Sequence, residues 1–154
     1  MRPTNMLILM ADQHNPKMLG CRGHDWVKTP NLDALAGRGI QFDYAYTNSA
    51  LCVPARAGFA TGRYPHDTKC WDNAIAYDGR QPSWGHRLQA NGNEVVSIGK
   101  LHYTNEDDDT GFDEQILPMH INGGVGDLHG SIRPALPVRV QGRQYVEEVG
   151  PGHT

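Results

Sequence analysis

The sequence predicts an α/β fold with a mostly parallel sheet flanked by helices, and three observations support this class. The continuous apolar run at residues 6–10 is typical of a strand that is buried on both faces, as in a parallel sheet. Helix start and stop signals follow this run, and another apolar strand pattern at residues 94–98 comes after them. Strands that alternate with helices along a chain favour a layered α/β arrangement.

The first predicted helix begins near Pro30. Thr29 is a suitable N-cap, and proline is favoured at the first helical position. Glycines at positions 37 and 39 provide the stop signal. Because Leu32 and Leu35 share one helical face, we expect this helix to pack against the sheet.

The remaining elements follow in order along the chain. Residues 40–46 alternate apolar with polar side chains, which predicts a second strand. Residues 54–61 suit a helix that stops at Gly62, and residues 84–90 suit a shorter one. Residues 94–98 then form the next predicted buried strand.

Polar side chains stand where two of the predicted strands end. Asp12, Gln13 and His14 follow the first strand closely, and residues 99–103 follow the strand at 94–98. Since ligands in open α/β sheets gather at the carboxyl ends of strands, these residues are candidates for a functional site.

Composition narrows the classes of protein. A chain of 154 residues with 18 Gly and 10 Pro fits one loop-rich globular domain, and its net charge of -3 argues against a nucleic-acid binder. Cys21, Cys52 and Cys70 are odd in number and form no Cys-x-x-Cys pair, so a disulfide framework or structural zinc site is not expected. The apolar run at residues 6–10 is too short for a membrane span, and we expect a cytoplasmic protein without a signal peptide.

The chemistry of Cys52 has three interpretations at this point. Cys52 lies at the start of a predicted helix, where the helix dipole favours an anion, and Arg56 lies on the same helical face. A buried, inert cysteine is the simplest interpretation. A thiolate phosphatase does not fit, because Arg56 comes too early for its Cys–Arg spacing. The third interpretation comes from a longer pattern.

The Cys-x-Pro-x-Arg run that begins at Cys52, followed by Thr-Gly-Arg at 61–63, resembles the sulfatase signature. Ala55 stands where that family often has Ser. In sulfatases the cysteine is converted after translation to formylglycine (3-oxoalanine), whose hydrated aldehyde attacks the sulfur of a sulfate ester. The resemblance implies an alkaline phosphatase-like α/β/α sandwich, incomplete in this chain. A stretch at residues 29–33, Thr-Pro-Asn-Leu-Asp, also resembles a recurrent structural segment of the family.

The resemblance also implies the catalytic residues. Gly-Lys-Leu-His at residues 99–102 resembles a Gly-Lys-x-His element of sulfatases, which implies that Lys100 binds a sulfate oxygen and His102 hydrogen-bonds the hydrated formylglycine. Arg56 would neutralise charge on the transferring group, together with Lys100. Asn73 lies where the branch of choline sulfatases and phosphonate monoester hydrolases carries an active-site Asn.

A metal site is implied by Ala-Asp-Gln at residues 11–13, which resembles the first metal-binding turn of sulfatases. Asp12 would supply a carboxylate, Gln13 a carbonyl oxygen, and the residue derived from Cys52 a further ligand. Oxygen donors suit a hard divalent cation, so we expect Ca²⁺ first, with Mn²⁺ or Mg²⁺ as alternatives. The Gln at this position again resembles the choline sulfatase branch.

The function implied is a sulfuric ester hydrolase that cleaves sulfate monoesters. The alternatives are a phosphonate or phosphate monoester hydrolase of the same family, and a truncated, non-catalytic remnant or interaction module. The expected partners are a small-molecule sulfate or phosphonate ester, the formylglycine-generating enzyme and, in a homo-oligomer, further copies of the chain. Neither nucleic acid nor a membrane is expected.

The resemblance covers about residues 5–103, whereas residues 104–154 are loop-rich and include an acidic run at 106–109 that predicts a solvated loop. We therefore expect residues 1–154 to be the N-terminal portion of a sulfatase catalytic domain. The second pair of metal ligands in such domains is an Asp followed by Asn or His. Asp127 and His129 do not match that pair, because they are not adjacent. The isolated chain is expected to have little or no activity.

Overall fold

The computed structural model of the protein describes residues 5–121, so Asp127, His129 and most of the loop-rich stretch at 104–154 lie outside the described residues. The chain divides into two compact units, Met1–Ala45 and Tyr46–Thr154. The described part of the first contains two short 3-10 helices and one α-helix; these are Pro16–Met18, Gly20–Arg22 and α1 (Pro30–Arg38). The described part of the second contains α2 (Cys52–Thr61), α3 (Pro65–Thr68), α4 (Trp84–Gln89), β1 (Val96–Lys100) and β2 (Glu114–Met119).

The start of α1 agrees with the sequence prediction, but the Thr29 side chain does not cap its own helix. Its hydroxyl accepts a hydrogen bond from the Gly20 N–H (2.8 Å) and donates one to Asp33 Oδ1 (2.8 Å). The same Asp33 oxygen accepts from the Cys21 N–H at 2.7 Å. The Thr29 hydroxyl, with this backbone donor, lowers the pKa of Asp33. Thr29 thus joins α1 to the second 3-10 helix.

Two strand predictions in the N-terminal part of the chain are wrong. Residues 6–10 and 40–46 have no strand structure, and their apolar side chains are exposed, as Leu7 (81%) and Tyr44 (83%) illustrate. On α1, Leu32 and Leu35 are each nearly half exposed. An apolar run becomes a strand only where a neighbouring strand accepts and donates its backbone hydrogen bonds, and the described residues supply none here.

The sheet of the described residues consists of β1 and β2, paired in parallel. Ile98 lies opposite Ile116, but Lys100 lies opposite Met119, so β2 contains one extra residue in this interval. Leu117 has a φ of 49°, a backbone conformation typical of such an irregularity. The predicted strand at 94–98 therefore exists two residues later, as β1, whereas β2 was not predicted.

The core of the second unit lies against α2. One cluster of buried side chains consists of Ala57, Ala60, Cys70, Tyr77 and Tyr103. The Tyr77 and Tyr103 rings meet edge to face, with centroids 5.0 Å apart. A smaller cluster consists of Val53, Ala76 and Ile121. These clusters fix both the first and the last turns of α2 to the loops that follow it.

Helix α4 confirms the prediction at 84–90 to within one residue, and a capping box explains its start. The Ser83 hydroxyl accepts from the His86 N–H (3.3 Å), and His86 Nδ1 accepts from the Ser83 N–H (3.0 Å). His86 Nε2 lies 3.1 Å from Asp109 Oδ1. This contact ties the otherwise exposed acidic loop to the start of α4.

Across residues 5–121, no helix combines the length and the apolar character needed to cross a membrane.

Candidate active site

Helix α2 places Cys52 at its first residue, two positions before the predicted start at Pro54. The next two side chains, Val53 and Pro54, are fully buried, whereas Cys52 is only half-buried. The half-turn after Cys52 is therefore fixed in the core while Cys52 itself lies at its boundary with solvent. A residue at this position lies at the positive end of the helix dipole, which favours an anion.

Arg56 lies one turn further along α2, and its guanidinium Nη1 donates a hydrogen bond to the backbone carbonyl of Lys100. This contact joins α2 to the last residue of β1. The hydrogen bond brings together two of the predicted site residues, Arg56 and Lys100. The acceptor is the main-chain carbonyl of Lys100, so the role of the Lys100 ammonium group stays a prediction. Arginine suits this position because its rigid fork offers several donors at once.

His102 follows two residues after β1 and is buried, at 8% exposure. Its backbone N–H donates to the Met119 carbonyl at 2.7 Å, and its φ of 59° is a left-handed conformation that His, like Asn and Asp, adopts more often than most residues other than Gly. Tyr103, next along the chain, lies in the core beside α2, and burial raises the pKa of its hydroxyl. The backbone hydrogen bond to Met119 and the anchored Tyr103 together fix where His102 lies.

Asn73 lies in the turn at residues 72–75, and its Oδ1 accepts a hydrogen bond from the Val53 N–H at 3.1 Å. The turn is itself held by Asp72, whose Oδ1 accepts from the Ala74 N–H at 2.8 Å. The structure thus brings Asn73 into contact with Val53, the residue that follows Cys52 in the chain. Cys52, Arg56, Lys100, His102 and Asn73 all belong to the second unit.

Asp12 and Gln13 belong to the first unit, in a turn that follows the apolar run. Both side chains are exposed, and Gln13 has a φ of 52°. A carboxylate and an amide carbonyl are the oxygen donors that a hard divalent cation prefers, so this pair fits part of such a site. Among residues 5–121, no group of three or more His, Cys, Asp or Glu side chains is placed to hold a metal ion.

The Thr-Gly-Arg end of the signature closes α2. The Thr61 hydroxyl donates to the Ala57 carbonyl (2.8 Å) and accepts from the Arg63 N–H (3.2 Å). Gly62 has a φ of 69°, and its N–H bonds the Gly58 carbonyl at 2.8 Å, as in a left-handed helix end. These residues determine where the helix stops.

Two residues of the second unit were missed by the sequence reasoning. Asn48 Nδ2 donates to the Arg63 carbonyl at 2.8 Å, beside a cavity of about 460 Å³. The cavity is lined by Tyr46, Thr47, Asn48, Ala55, Gly58, Phe59, Gly62, Arg63 and Tyr64. The other missed residue is His120, whose Nε2 lies 2.9 Å from Gln115 Oε1 and whose pKa is lowered by burial. No sequence signal marks either residue, since each depends on a contact formed by folding.

The fold and these contacts define an α/β protein with a cysteine at a helix start, tied through an arginine to the end of a parallel strand. The sulfatase family model matches residues 4–130. The chain is 40% identical over 112 residues to a choline-sulfatase of Rhizobium meliloti, and this match covers 73% of this chain and 22% of that protein. It is 37% identical over 102 residues to an N-acetylglucosamine-6-O-sulfatase of Bacteroides thetaiotaomicron, covering 66% of this chain and 18% of that protein.

A solved structure agrees with these matches. It is a complex of a protein with its substrate D-glucosamine-2-N,6-O-disulfate. This chain superposes on it with a TM-score of 0.63 at 36% sequence identity, and the match covers 68% of this chain and 21% of that chain. The chain belongs to the sulfatase family. This confirms the predicted family and its alkaline phosphatase-like α/β fold. The chain spans about a fifth of the length of these relatives.

Proposed function

We propose that this chain carries the nucleophile half of a sulfuric ester hydrolase that acts on sulfate monoesters, with Cys52 as the precursor of formylglycine. Sulfatases generally use a formylglycine and a divalent metal ion. The observation that carries the proposal is the hydrogen bond from Arg56 to the Lys100 carbonyl. It holds the Cys52 helix against the Gly-Lys-Leu-His segment, so that the two parts of the sulfatase pattern belong to one arrangement.

The residues of this arrangement have distinct proposed tasks. A formylglycine at position 52 would supply a hydroxyl nucleophile from its hydrated aldehyde, which a thiol cannot replace because a thiol adduct is not readily cleared by water. Arg56 and Lys100 supply positive charge for the non-bridging oxygens of the sulfate group. His102, fixed by its backbone, would donate or accept the proton of a hydroxyl at position 52. Hydrolysis then yields an alcohol and sulfate from the ester and one water.

The divalent cation would be held in part by Asp12 and Gln13, with Ca²⁺ as the proposed ion. Its bound charge would lower the pKa of a coordinated hydroxyl and polarise the sulfate oxygens. Even with the residue derived from Cys52 as a third donor, this set is small compared with the six to eight oxygens that Ca²⁺ takes in proteins. We therefore expect the purified chain of 154 residues to hydrolyse sulfate esters poorly or not at all. Robust metal-dependent turnover by this chain, with choline sulfate as the first substrate tested, would contradict that expectation.

The modification of Cys52 is tested by mass spectrometry. After co-expression with a formylglycine-generating enzyme, we expect the Cys52 peptide to lose the mass difference between a thiol and an aldehyde. The peptides that contain Cys21 and Cys70 are internal controls, since neither cysteine is followed by the Pro and Arg of the signature. An unmodified Cys52 under conditions that convert a positive-control sulfatase would overturn the proposal.

The metal site is tested by thermal unfolding with and without Ca²⁺, because an ion that binds the folded state raises the unfolding temperature. We expect Asp12→Asn to abolish any such rise. Asp25→Asn is the matched control, since Asp25 is another exposed aspartate of the same unit. Equal responses of the two variants would remove Asp12 from the proposed ligand set.

A further inference from the structure

Helix α2 begins without a cap from its own N-cap residue. Leu51 has the extended backbone of an N-cap (φ −94°, ψ 146°), but its side chain has no oxygen to accept a hydrogen bond. The Ala55 N–H bonds the Leu51 carbonyl at 3.0 Å, and Pro54 has no N–H. The backbone donors of the first turn that still need an acceptor are therefore those of Cys52 and Val53.

The Val53 donor is satisfied from a distant part of the chain. Asn73 Oδ1 accepts this N–H at 3.1 Å, across 20 residues of sequence. Its turn is held in place independently, by the Asp72–Ala74 hydrogen bond and by Ala76, which packs with the fully buried Val53. The Asn73 carbonyl oxygen is therefore held at the start of α2 by a turn that is packed and internally hydrogen-bonded.

We propose that Asn73 is a positioning residue that caps α2 in place of Leu51 and thereby fixes the orientation of Cys52. The first residue of a helix is the one whose direction changes most when the first turn frays, and the cap suppresses that fraying. This inference rests on the proposed function of Cys52 and assigns to Asn73 a role that acts through it.

The contact also fixes which end of the Asn73 amide is left to face a ligand. Only the carbonyl oxygen of the amide can accept from an N–H, so the oxygen lies at Val53 and the Nδ2 group offers donors alone. Asn73→Asp keeps an acceptor for Val53 but removes the donors, whereas Asn73→Ala removes both. Leu51→Ser in the Asn73→Ala background restores an acceptor at the ordinary N-cap position without restoring the donors.

The test is amide hydrogen exchange at Val53, measured by NMR on the ¹⁵N-labelled 154-residue chain. We expect Asn73→Ala to raise the exchange rate about 2–30-fold, the range that corresponds to loss of a typical cap. Asn73→Asp and the Leu51→Ser, Asn73→Ala double variant should return the rate close to that of the parent chain. Asn31→Ala, a change at an exposed asparagine of α1, is the control and should leave Val53 unchanged.

Two results would overturn the inference: an unchanged Val53 rate in Asn73→Ala, or no recovery in the double variant. If Asn73→Ala unfolds the whole unit, Asn73→Asp still decides, because faster exchange confined to Val53 in this variant contradicts the capping role. The measurement needs neither formylglycine, metal nor turnover. Failure of the proposed function would instead appear as an unmodified Cys52 with Val53 exchange behaving as expected.

Discussion

Residues 5–45 and residues 46–121 have similar apolar patterns but differ in what they bury. Within residues 5–121, every buried apolar side chain belongs to the second stretch. The first stretch nevertheless contains two of the three predicted strand patterns, at residues 6–10 and 40–46. An apolar sequence pattern therefore indicates which face of a segment can be buried. Whether that face is buried depends on the segments that pack against it.

The largest expected effect comes from truncating one tyrosine in each of the two stretches. Tyr103 is 3% exposed and packs on Tyr77, so Tyr103→Ala should lower the free energy of unfolding by about 3–5 kcal/mol. Tyr44→Ala should change it by less than about 0.5 kcal/mol, because exposed side chains contribute little. Urea denaturation of both variants measures the difference. A large decrease in the free energy of unfolding of Tyr44→Ala would contradict the described difference in burial between the two stretches.

A smaller contrast is expected for two helical glycines. A β-carbon at Gly58 of α2 would lie 2.0 Å from Asn48 Nδ2, so Gly58→Ala must displace the side chain that bonds the Arg63 carbonyl. We expect a destabilisation of about 1–3 kcal/mol.

Gly37 of α1 has no neighbouring atom within 4 Å of such a β-carbon. Gly37→Ala should therefore stabilise by up to about 1 kcal/mol through helix propensity. Thermal unfolding of the two variants gives the sign of each change. The same sign for both would mean that the packing around α1 and α2 does not differ as described.

The smallest expected effect is the pH dependence due to His120. Burial lowers the pKa of His120 in the folded chain below its ordinary value of 6.5, so the unfolded chain binds more protons. Its contribution to stability is complete above pH 6.5 and is lost as the pH falls through the folded-state pKa. His120→Gln should reduce the slope of stability against pH in this range. His14→Gln, at an exposed histidine of the first stretch, is the control, and an equal reduction there would refute the assignment to His120.

Local signals predicted α1, α2 and α4 because each signal acts within one turn, whereas the four-residue α3 and the two 3-10 helices were not predicted. Pro30 and Gly62 mark a helix start and a helix end that the structure confirms, and Asn91-Gly92 follows α4 as expected. The spacing of Cys52 and Arg56 likewise placed them on one face of one helix. These features depend on residues at most four positions apart.

The missed features depend on contacts between distant residues. β2 was not predicted because Pro118 lies inside it and its pattern is irregular, and it forms only by pairing with β1. The capping contact of Asn73 spans 20 residues, and no local sequence pattern predicts it. The proposed roles of the site residues in catalysis and metal binding all stay predictions; these residues are Cys52, Arg56, Asn73, Lys100, His102, Asp12 and Gln13.

The hydrogen bond from Arg56 to the Lys100 carbonyl joins residues that are 44 positions apart in the chain. During synthesis, at about 5–20 residues per second, the acceptor of this bond is made roughly 2–9 s after its donor. For that interval Cys52 belongs to a nascent chain whose helix cannot yet be tied to β1. An enzyme that needs an unfolded chain to reach Cys52 has those seconds in which to act.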